Sequence, residues 1–131
     1  MTTRTIDVTV SPFRDVRTDL ATAIEDATGW TTYPTFVAAF ATPCVILTGG
    51  GWVQSSTGLT GYKVSVNCVL ANQGGDLSDE VEEIARLAAI ACIDAQWAVL
   101  EVPAPGLFQI GDRGYTGVQF TAQALVTLRS I

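Results

Sequence analysis

The chain has 131 residues, a length that suits a single domain able to bury roughly two-thirds of its unfolded surface in one core. Hydrophobic residues make up 48% of the sequence and charged residues only 15%, which excludes a disordered chain and predicts that partners cover part of the surface. The formal charge is −6 and the seven Lys and Arg are scattered, so we expect no phosphate-gripping patch and no specific binding of nucleic acid.

No apolar run reaches the length of a membrane span, and the N-terminus leads into no signal-type stretch. We therefore expect no membrane binding and a protein made and kept in the cytoplasm. Cys44, Cys68 and Cys92 are odd in number, widely spaced and set among apolar residues, without a C-x-x-C pair. This pattern predicts small core residues and not a metal or redox site.

The N-terminal region predicts a strand followed by a helix. Residues 4–10 alternate between apolar and polar side chains, which is typical of a short strand with one apolar face. Ser11 can cap a helix and Pro12 suits its first position, while Gly29 suits its end. The expected buried stripe of this helix consists of Phe13, Val16, Leu20, Ile24 and Ala27.

The middle of the chain predicts a sheet. Any strand within Trp30–Ala41 should be irregular or at an edge because Pro34 cannot donate to a ladder. Residues 44–47 are apolar on both faces, which indicates a central strand. We interpret Gly49–Gly61 as a long flexible connection that carries Trp52, and the alternation over residues 62–70 predicts the clearest strand of this half.

The second half predicts one more helix and further strands. Ser78 can cap the helix, whose first turns carry acidic residues that suit the positive end of the helix dipole. The pattern predicts strands over residues 97–102 and 107–110 and a tight turn over residues 111–114. The longest strand is predicted over residues 118–128. The expected buried stripe of the helix consists of Val81, Ile84, Ala85, Ala88, Ala91, Cys92 and Ala95.

The order of these elements indicates an α+β fold. We expect a mostly antiparallel or mixed β-sheet with two amphipathic helices packed on one face. No internal repeat or linker divides the sequence, so residues 1–131 should form one domain, with residues 1–10 as a strand arm.

Catalysis is not expected. The sequence contains no histidine, which removes the commonest general base and metal ligand, and we assign no catalytic, cofactor-binding or metal-binding residue. The acidic cluster around residues 76–83 lacks the spacing of a calcium loop, and the Gly49–Gly51 run lacks the Lys-Ser/Thr of a phosphate loop.

Binding to other proteins is the expected function. A tryptophan in a glycine-rich loop is as suited to anchor a partner as to pack internally. The first ten residues have two interpretations, completion of their own sheet or addition of a strand to a neighbour, and we slightly favour the second. The candidate partner-interface residues are Ile6, Val8, Val10, Gly49, Gly50, Gly51, Trp52 and Arg113.

The whole pattern resembles the tail terminator or tail-completion proteins of long-tailed bacteriophages. The resemblance spans nearly the full chain and consists of architecture, not of an active-site signature. It is carried by Arg14-Asp15-Val16-Arg17-Thr18-Asp19-Leu20, Pro43-Cys44-Val45-Ile46, Ser78-Asp79-Glu80-Val81 and Tyr115-Thr116-Gly117-Val118-Gln119-Phe120. The N-terminal strand departs from the family, whose members often begin close to the first helix.

The resemblance implies a virion protein at the head-proximal end of the tail, assembled in the host cytoplasm. Its partners would be copies of itself in a ring of six, the major tail tube protein and a head-completion or neck protein. DNA would pass through the ring without specific binding, because an acidic lumen repels a polyanion. The candidate lumen residues are Asp76, Asp79, Glu80 and Glu83.

Two alternatives remain at this stage. Within the structural class, the chain could be a head completion or stopper protein or a tube-forming tail protein. From a different class, it could be a small bacterial ligand-binding or regulatory domain, which would need a concave pocket with convergent polar groups.

Overall fold

The structure, a computed structural model, describes residues 3–7, 12–37, 39–54, 61–73 and 79–129, with backbone only at residues 3–7, 12 and 127–129. Along these ranges the elements follow one another as β1 (Thr3–Asp7), α1 (Pro12–Thr28), β2 (Thr31–Tyr33), β3 (Cys44–Gln54), β4 (Gly61–Asn72), α2 (Asp79–Asp94), β5 (Ala98–Val99), β6 (Gly106–Ile110) and β7 (Arg113–Arg129).

One mixed sheet contains all of these strands, in the order β1-β7-β4-β3-β2. The pairs β1·β7 and β2·β3 are parallel, and the central pairs β3·β4 and β4·β7 are antiparallel. Strands β6, β5 and β1 follow one another along the edge of β7 that faces away from β4. The prediction of an α+β fold, with two helices and a mostly antiparallel or mixed sheet, is confirmed, and the sheet is mixed.

Both helices cover the same face of the sheet. The predicted stripe of α1 is buried at Val16, Leu20 and Ile24, whereas Ala27 is exposed and Phe13 is half-buried. The alanine-rich stripe of α2 packs beside it, with Ala85, Ala88, Ala89 and Ala91 buried. Small side chains let the two helices lie close together over the β4 and β7 side chains that alternate into this core.

The opposite face of the sheet carries a smaller apolar cluster. Cys44, Ile46, Ala71 and Tyr115 are buried there, near the end of β4 that includes Asn72. Further along β4 and β7 this face is polar, and Thr121 Oγ1 donates a hydrogen bond to Asn67 Oδ1 at 3.1 Å. Residues 44–47 are therefore buried on both faces, as their composition predicted.

The predicted glycine at the end of α1 is confirmed, whereas the predicted N-caps Ser11 and Ser78 lie outside the described residues. Gly29 adopts a φ of 75° after α1, and its N–H donates to the Glu25 carbonyl at 2.8 Å. At the end of α2 the left-handed position is filled by Gln96, and the Trp97 N–H donates to the Cys92 carbonyl at 2.9 Å. Neither helix is long and apolar enough to cross a membrane.

One strand prediction and one turn prediction in the second half need correction. The strand expected over residues 97–102 contains only Ala98 and Val99. Pro103 and Pro105 cannot donate to a ladder, so the chain leaves the edge of β7 and rejoins it at Gly106. The turn predicted over residues 111–114 is tighter than expected, because Ile110 already pairs with Arg113 and Gly111 has a φ of 65°.

The N-terminal strand completes the sheet of its own domain over the described residues. Thr3–Asp7 pairs in parallel with Leu125–Arg129. Of the two interpretations, completion of the chain's own sheet is therefore the one that these residues adopt. Addition of the strand to a neighbour, which we slightly favoured, is not their arrangement. Parallel pairing with the last strand depends on a contact across almost the full chain, which no local pattern specifies. Residues 8–10 lie outside the described part.

The three cysteines are buried in the core, as predicted. Burial raises the pKa of the Cys44 thiol to about 11. A hydrogen bond with Cys92, together with burial, raises the pKa of the Cys68 thiol well above its ordinary value. Thiolate, the reactive form, is therefore scarce at neutral pH.

We expect the thiols to be unreactive in the folded protein. At pH 8 the native chain should consume less than about one-tenth of an equivalent of a disulfide reagent within an hour, because burial shields all three thiols and the raised pKa of Cys44 and Cys68 lowers their thiolate fraction. All three cysteines should react once urea unfolds the domain. Rapid reaction of one full equivalent of the reagent with the native protein would contradict the burial of these side chains.

Candidate interaction surfaces

An exposed aromatic cluster lies at the end of the sheet that includes Tyr62. Trp52 stacks on Phe13 with ring centroids 5.7 Å apart and meets the edge of Tyr62 at 5.0 Å. Phe13 and Tyr62 are themselves 6.1 Å apart in an edge contact. The Trp52 side chain remains 55% exposed in this cluster, so the rings are fixed by one another while presenting an apolar surface. We call Phe13, Trp52 and Tyr62 the aromatic knob.

A β-bulge in β3 determines which face of the sheet Trp52 occupies. Gly49 lies opposite Val66 and Trp52 lies opposite Val64, so Gly50 and Gly51 together face one residue of β4. If the pairing at Gly49 continued regularly, Trp52 would lie opposite Lys63, on the face away from the helices. The bulge therefore turns the indole towards Phe13 of α1.

Glycine is required for this bulge. Gly51 has a φ of 92°, a conformation that side-chain-bearing residues rarely adopt. At Gly50 an added Cβ would lie 3.1 Å from the Ser65 carbonyl oxygen, which is tighter than ordinary contacts. The prediction of a flexible connection over Gly49–Gly61 is therefore wrong for residues 49–54, which continue β3, and Gly61 begins β4. Residues 55–60 lie outside the described part.

Charged side chains of both signs lie at the knob end of the protein. Arg14 is exposed beside Phe13, and Lys63 is exposed on the other face of the β3–β4 pair. Arg17 Nε donates to the Pro34 carbonyl at 3.1 Å, which holds the guanidinium near Gly49. Asp15 and Asp19 are the exposed carboxylates of the same helix segment. This end of the protein is thus the less acidic one.

A second surface is a groove at the other end of the sheet, between α2 and the chain that leads into β6. Its floor is apolar and its rim is acidic. The acidic residues were visible in the sequence, but the groove was not predicted. We call it the acidic groove, formed by Asp79, Glu82, Glu83, Ala85, Arg86, Ala89, Ile90, Val102, Pro103, Ala104, Pro105 and Val118.

An ion pair belongs to the rim of the acidic groove. Arg86 Nε donates to Glu83 Oε2 at 2.9 Å, and a second hydrogen bond joins the same two side chains. This hydrogen bonding lowers the pKa of the Glu83 carboxyl and raises the pKa of Arg86. Both side chains are exposed, so the pair adds little stability. The rim keeps an excess of negative charge through Asp79 and Glu82.

The two surfaces lie at opposite corners of the domain. In the ladder, Val118 of the acidic groove faces Leu70 of β4, whereas Tyr62 of the aromatic knob is eight residues earlier on the same strand. That separation corresponds to roughly 25 Å along the strand. The knob also lies beside α1 and β3, while the groove lies beside α2 and the edge of β7. One subunit can therefore engage two neighbours at once.

The structure separates the predicted interface residues. Gly49, Gly50, Gly51 and Trp52 share the bulged end of β3. Arg113 is exposed at the β6–β7 turn, near the Asn72 end of β4, and lines a hollow with Phe36 and Phe40 instead. Ile6 is placed by its backbone opposite Leu128, and Val8 and Val10 lie outside the described residues.

The predicted lumen residues are only partly placed. Asp79, Glu80 and Glu83 are exposed on the first turns of α2, and Asp79 and Glu83 belong to the acidic groove. Asp76 lies outside the described residues. Helical spacing brings these carboxylates close to one another. In the groove, Asp79 and Glu83 lie beside an apolar floor that the acidic pattern did not predict.

The exposure of several apolar residues was not predicted from the sequence. Ile90 and Ile93 are exposed on α2, with Ile90 beside Ala89 in the acidic groove, and Leu100 and Leu107 are 76% and 70% exposed. Ile90 and Ile93 could have been found from helical spacing, because they fall outside the stripe of buried alanines. Leu100 and Leu107 were assigned to strands, and only the departure of the chain from β7 exposes Leu100.

The described residues hold no group of three or more cysteine, aspartate or glutamate side chains arranged to bind a metal ion. Among the described side chains, the buried polar residues are Thr32 and Thr116, and neither lines the acidic groove. The described side chains of the groove therefore offer apolar contact and charge, and none of them is a buried polar side chain.

No protein-family model and no curated protein sequence matches this chain.

Proposed function

We propose that this chain is a tail terminator protein of a long-tailed bacteriophage. Six copies form a ring that caps the tail tube, stops its polymerisation and joins it to the neck. The proposal rests on the resemblance of the sequence to that family and on one structural observation, the distribution of exposed apolar side chains over separate places on a small domain.

The exposed residues support several simultaneous protein contacts. Among the described side chains, eight large hydrophobic residues are exposed. Single exposed residues are normal on a monomer, but Trp52 lies in a stacked aromatic cluster, and Ile90 and Val102 share one groove. A terminator subunit needs contacts with two ring neighbours, the tube and the neck, which requires several unlike surfaces.

The acidic balance is consistent with a channel for DNA. The chain carries a net charge of −6, and the exposed carboxylates of α2 are close to one end of the sheet. If Glu80, which is exposed on α2 outside the acidic groove, faces the lumen, its carboxylate repels the phosphate backbone and helps DNA to slide.

The test is to mix the purified chain with the polymerising tail tube protein of the same genome and to examine the products by electron microscopy. We expect discrete rings of the chain alone and tubes capped at one end in the mixture, with growth stopped at that end. An acidic protein of similar mass is the control.

The alternatives give different results in the same experiment. Long tubes formed by the chain alone would identify a tube protein, and rings that bind the head connector but not tube ends would identify a head-completion protein. A monomer that ignores tube ends would remove the terminator proposal and leave a ligand-binding or regulatory domain.

A further inference from the structure

We infer that this chain associates head to tail, with the aromatic knob of one copy inserted into the acidic groove of the next. The contact deepens the proposed function by naming the interface of the ring, and its closure into a ring rests on that function. The contact itself is argued from the two surfaces alone.

Shape and polarity make the two surfaces complementary. The knob presents a half-exposed indole whose position is fixed by Phe13 and Tyr62, so little side-chain freedom is lost when it is buried. The groove offers an apolar floor that includes Ala89 and Ile90 and a wall formed by the segment from Val102 to Pro105. A rigid aromatic anchor in an apolar pocket is the arrangement that contributes most to protein interfaces.

Charge selects the second copy as the occupant. The groove rim carries Asp79, Glu82 and Glu83 against a single Arg86, whereas the knob end carries the exposed Arg14 together with Asp15 and Asp19 and is close to neutral. A groove facing another groove would bring six such carboxylates together in an already acidic pair of chains. Placing the less acidic end against the more acidic end avoids this repulsion and brings Arg14 towards the rim carboxylates.

The positions of the surfaces determine the kind of assembly. Knob and groove lie at opposite corners of the domain, so one copy cannot fill its own groove with its own knob. A contact between unlike surfaces is heterologous and repeats from copy to copy until it closes or continues as a filament. It therefore provides the contact that a ring requires.

The test uses one variant of each surface and then mixes them. Trp52→Ala removes the knob and leaves the groove, and Ile90→Glu places a carboxylate in the groove and leaves the knob. Each variant alone should weaken self-association by roughly thirty-fold or more, measured by analytical ultracentrifugation and light scattering. An equimolar mixture should restore one intact contact and give a 1:1 dimer without larger assemblies.

Matched controls separate this contact from general surface effects. Val53→Ser changes the neighbouring exposed residue on the other face of the strand, and Ile93→Glu adds the same charge to the same helix outside the groove. Both controls should assemble as the unmodified chain does. If Trp52→Ala fails to fold, Arg14→Glu changes the charge beside the knob at an exposed helix position and should weaken association several-fold.

The outcomes distinguish the contact from the function. A chain that remains monomeric at millimolar concentration overturns the inferred contact, as do knob and groove variants that assemble normally or fail to pair when mixed. Rings that survive both variants and still cap tubes would leave the terminator proposal standing. Knob-dependent filaments that ignore tube ends would retain the contact and remove the terminator proposal.

Discussion

Replacing Gly117 with alanine is expected to lower the free energy of unfolding by about 3 kcal/mol or more. A Cβ at this position would lie 1.8 Å from the Leu70 carbonyl oxygen and 2.9 Å from Phe108 Cε1. Gly117 is held between β4 on one side and β6 on the other, opposite Ala71 and Gly106. Relief of the clash therefore requires two ladders to move, not a single flexible side chain.

Urea and thermal unfolding followed by circular dichroism measure this effect. A loss of about 3 kcal/mol corresponds to a decrease of roughly 10 °C in Tm for a domain of this size. Gly106→Ala is the matched control, because Gly106 lies directly opposite Gly117 and an added Cβ there meets nothing within 4 Å. We expect the control to change stability by less than about 1 kcal/mol. Equal stability of the two variants would show that β4 and β6 can move away from residue 117 at little cost in free energy.

The second large effect is expected from Gly51→Val, which should remove the aromatic knob. Valine does not tolerate a φ of 92°, so the bulge becomes strained by about 1–3 kcal/mol or is lost. If it is lost, regular pairing continues and Trp52 moves opposite Lys63, on the face away from Phe13. Either result weakens the stacking of the indole and, with it, self-association through the knob.

Deletion of Gly51 is the matched control for this variant. Without one of the two glycines, Gly50 faces Ser65 and the ladder is regular, yet Trp52 still lies opposite Val64. Cross-strand NMR contacts should therefore connect residue 52 with residue 64 in the deletion and with residue 63 in a re-registered Gly51→Val variant. Loss of the Trp52–Val64 contact in both variants would show that the register depends on more than the bulge.

Local periodicity explains why the helices and the core could be predicted. Val16, Leu20 and Ile24 recur with helical spacing and are buried because one turn determines which residues share a face. The alternation over β4 and β7 likewise identified the residues that face the helices. Each of these features depends on neighbours within a few positions of the chain.

The candidate site was predicted only in part. Trp52 was predicted as a candidate partner anchor and is exposed, but the glycines that carry it were assigned to a loop, because a Gly-Gly-Gly run usually disfavours a strand. The structure places them in a bulge, where absence of a side chain and a positive φ are requirements. The acidic pattern of α2 was visible, while the apolar floor beside it was not.

The sequence by itself determined that this protein has two amphipathic helices, a sheet and a core that includes its cysteines, since hydrophobic periodicity and burial are local properties. Only the tertiary structure decided that β1 pairs with β7, that the bulge turns Trp52 towards Phe13, and that Val102–Pro105 meet α2 to form a groove. These contacts join segments distant in sequence, and their geometry depends on register and chain crossing that residue spacing does not encode.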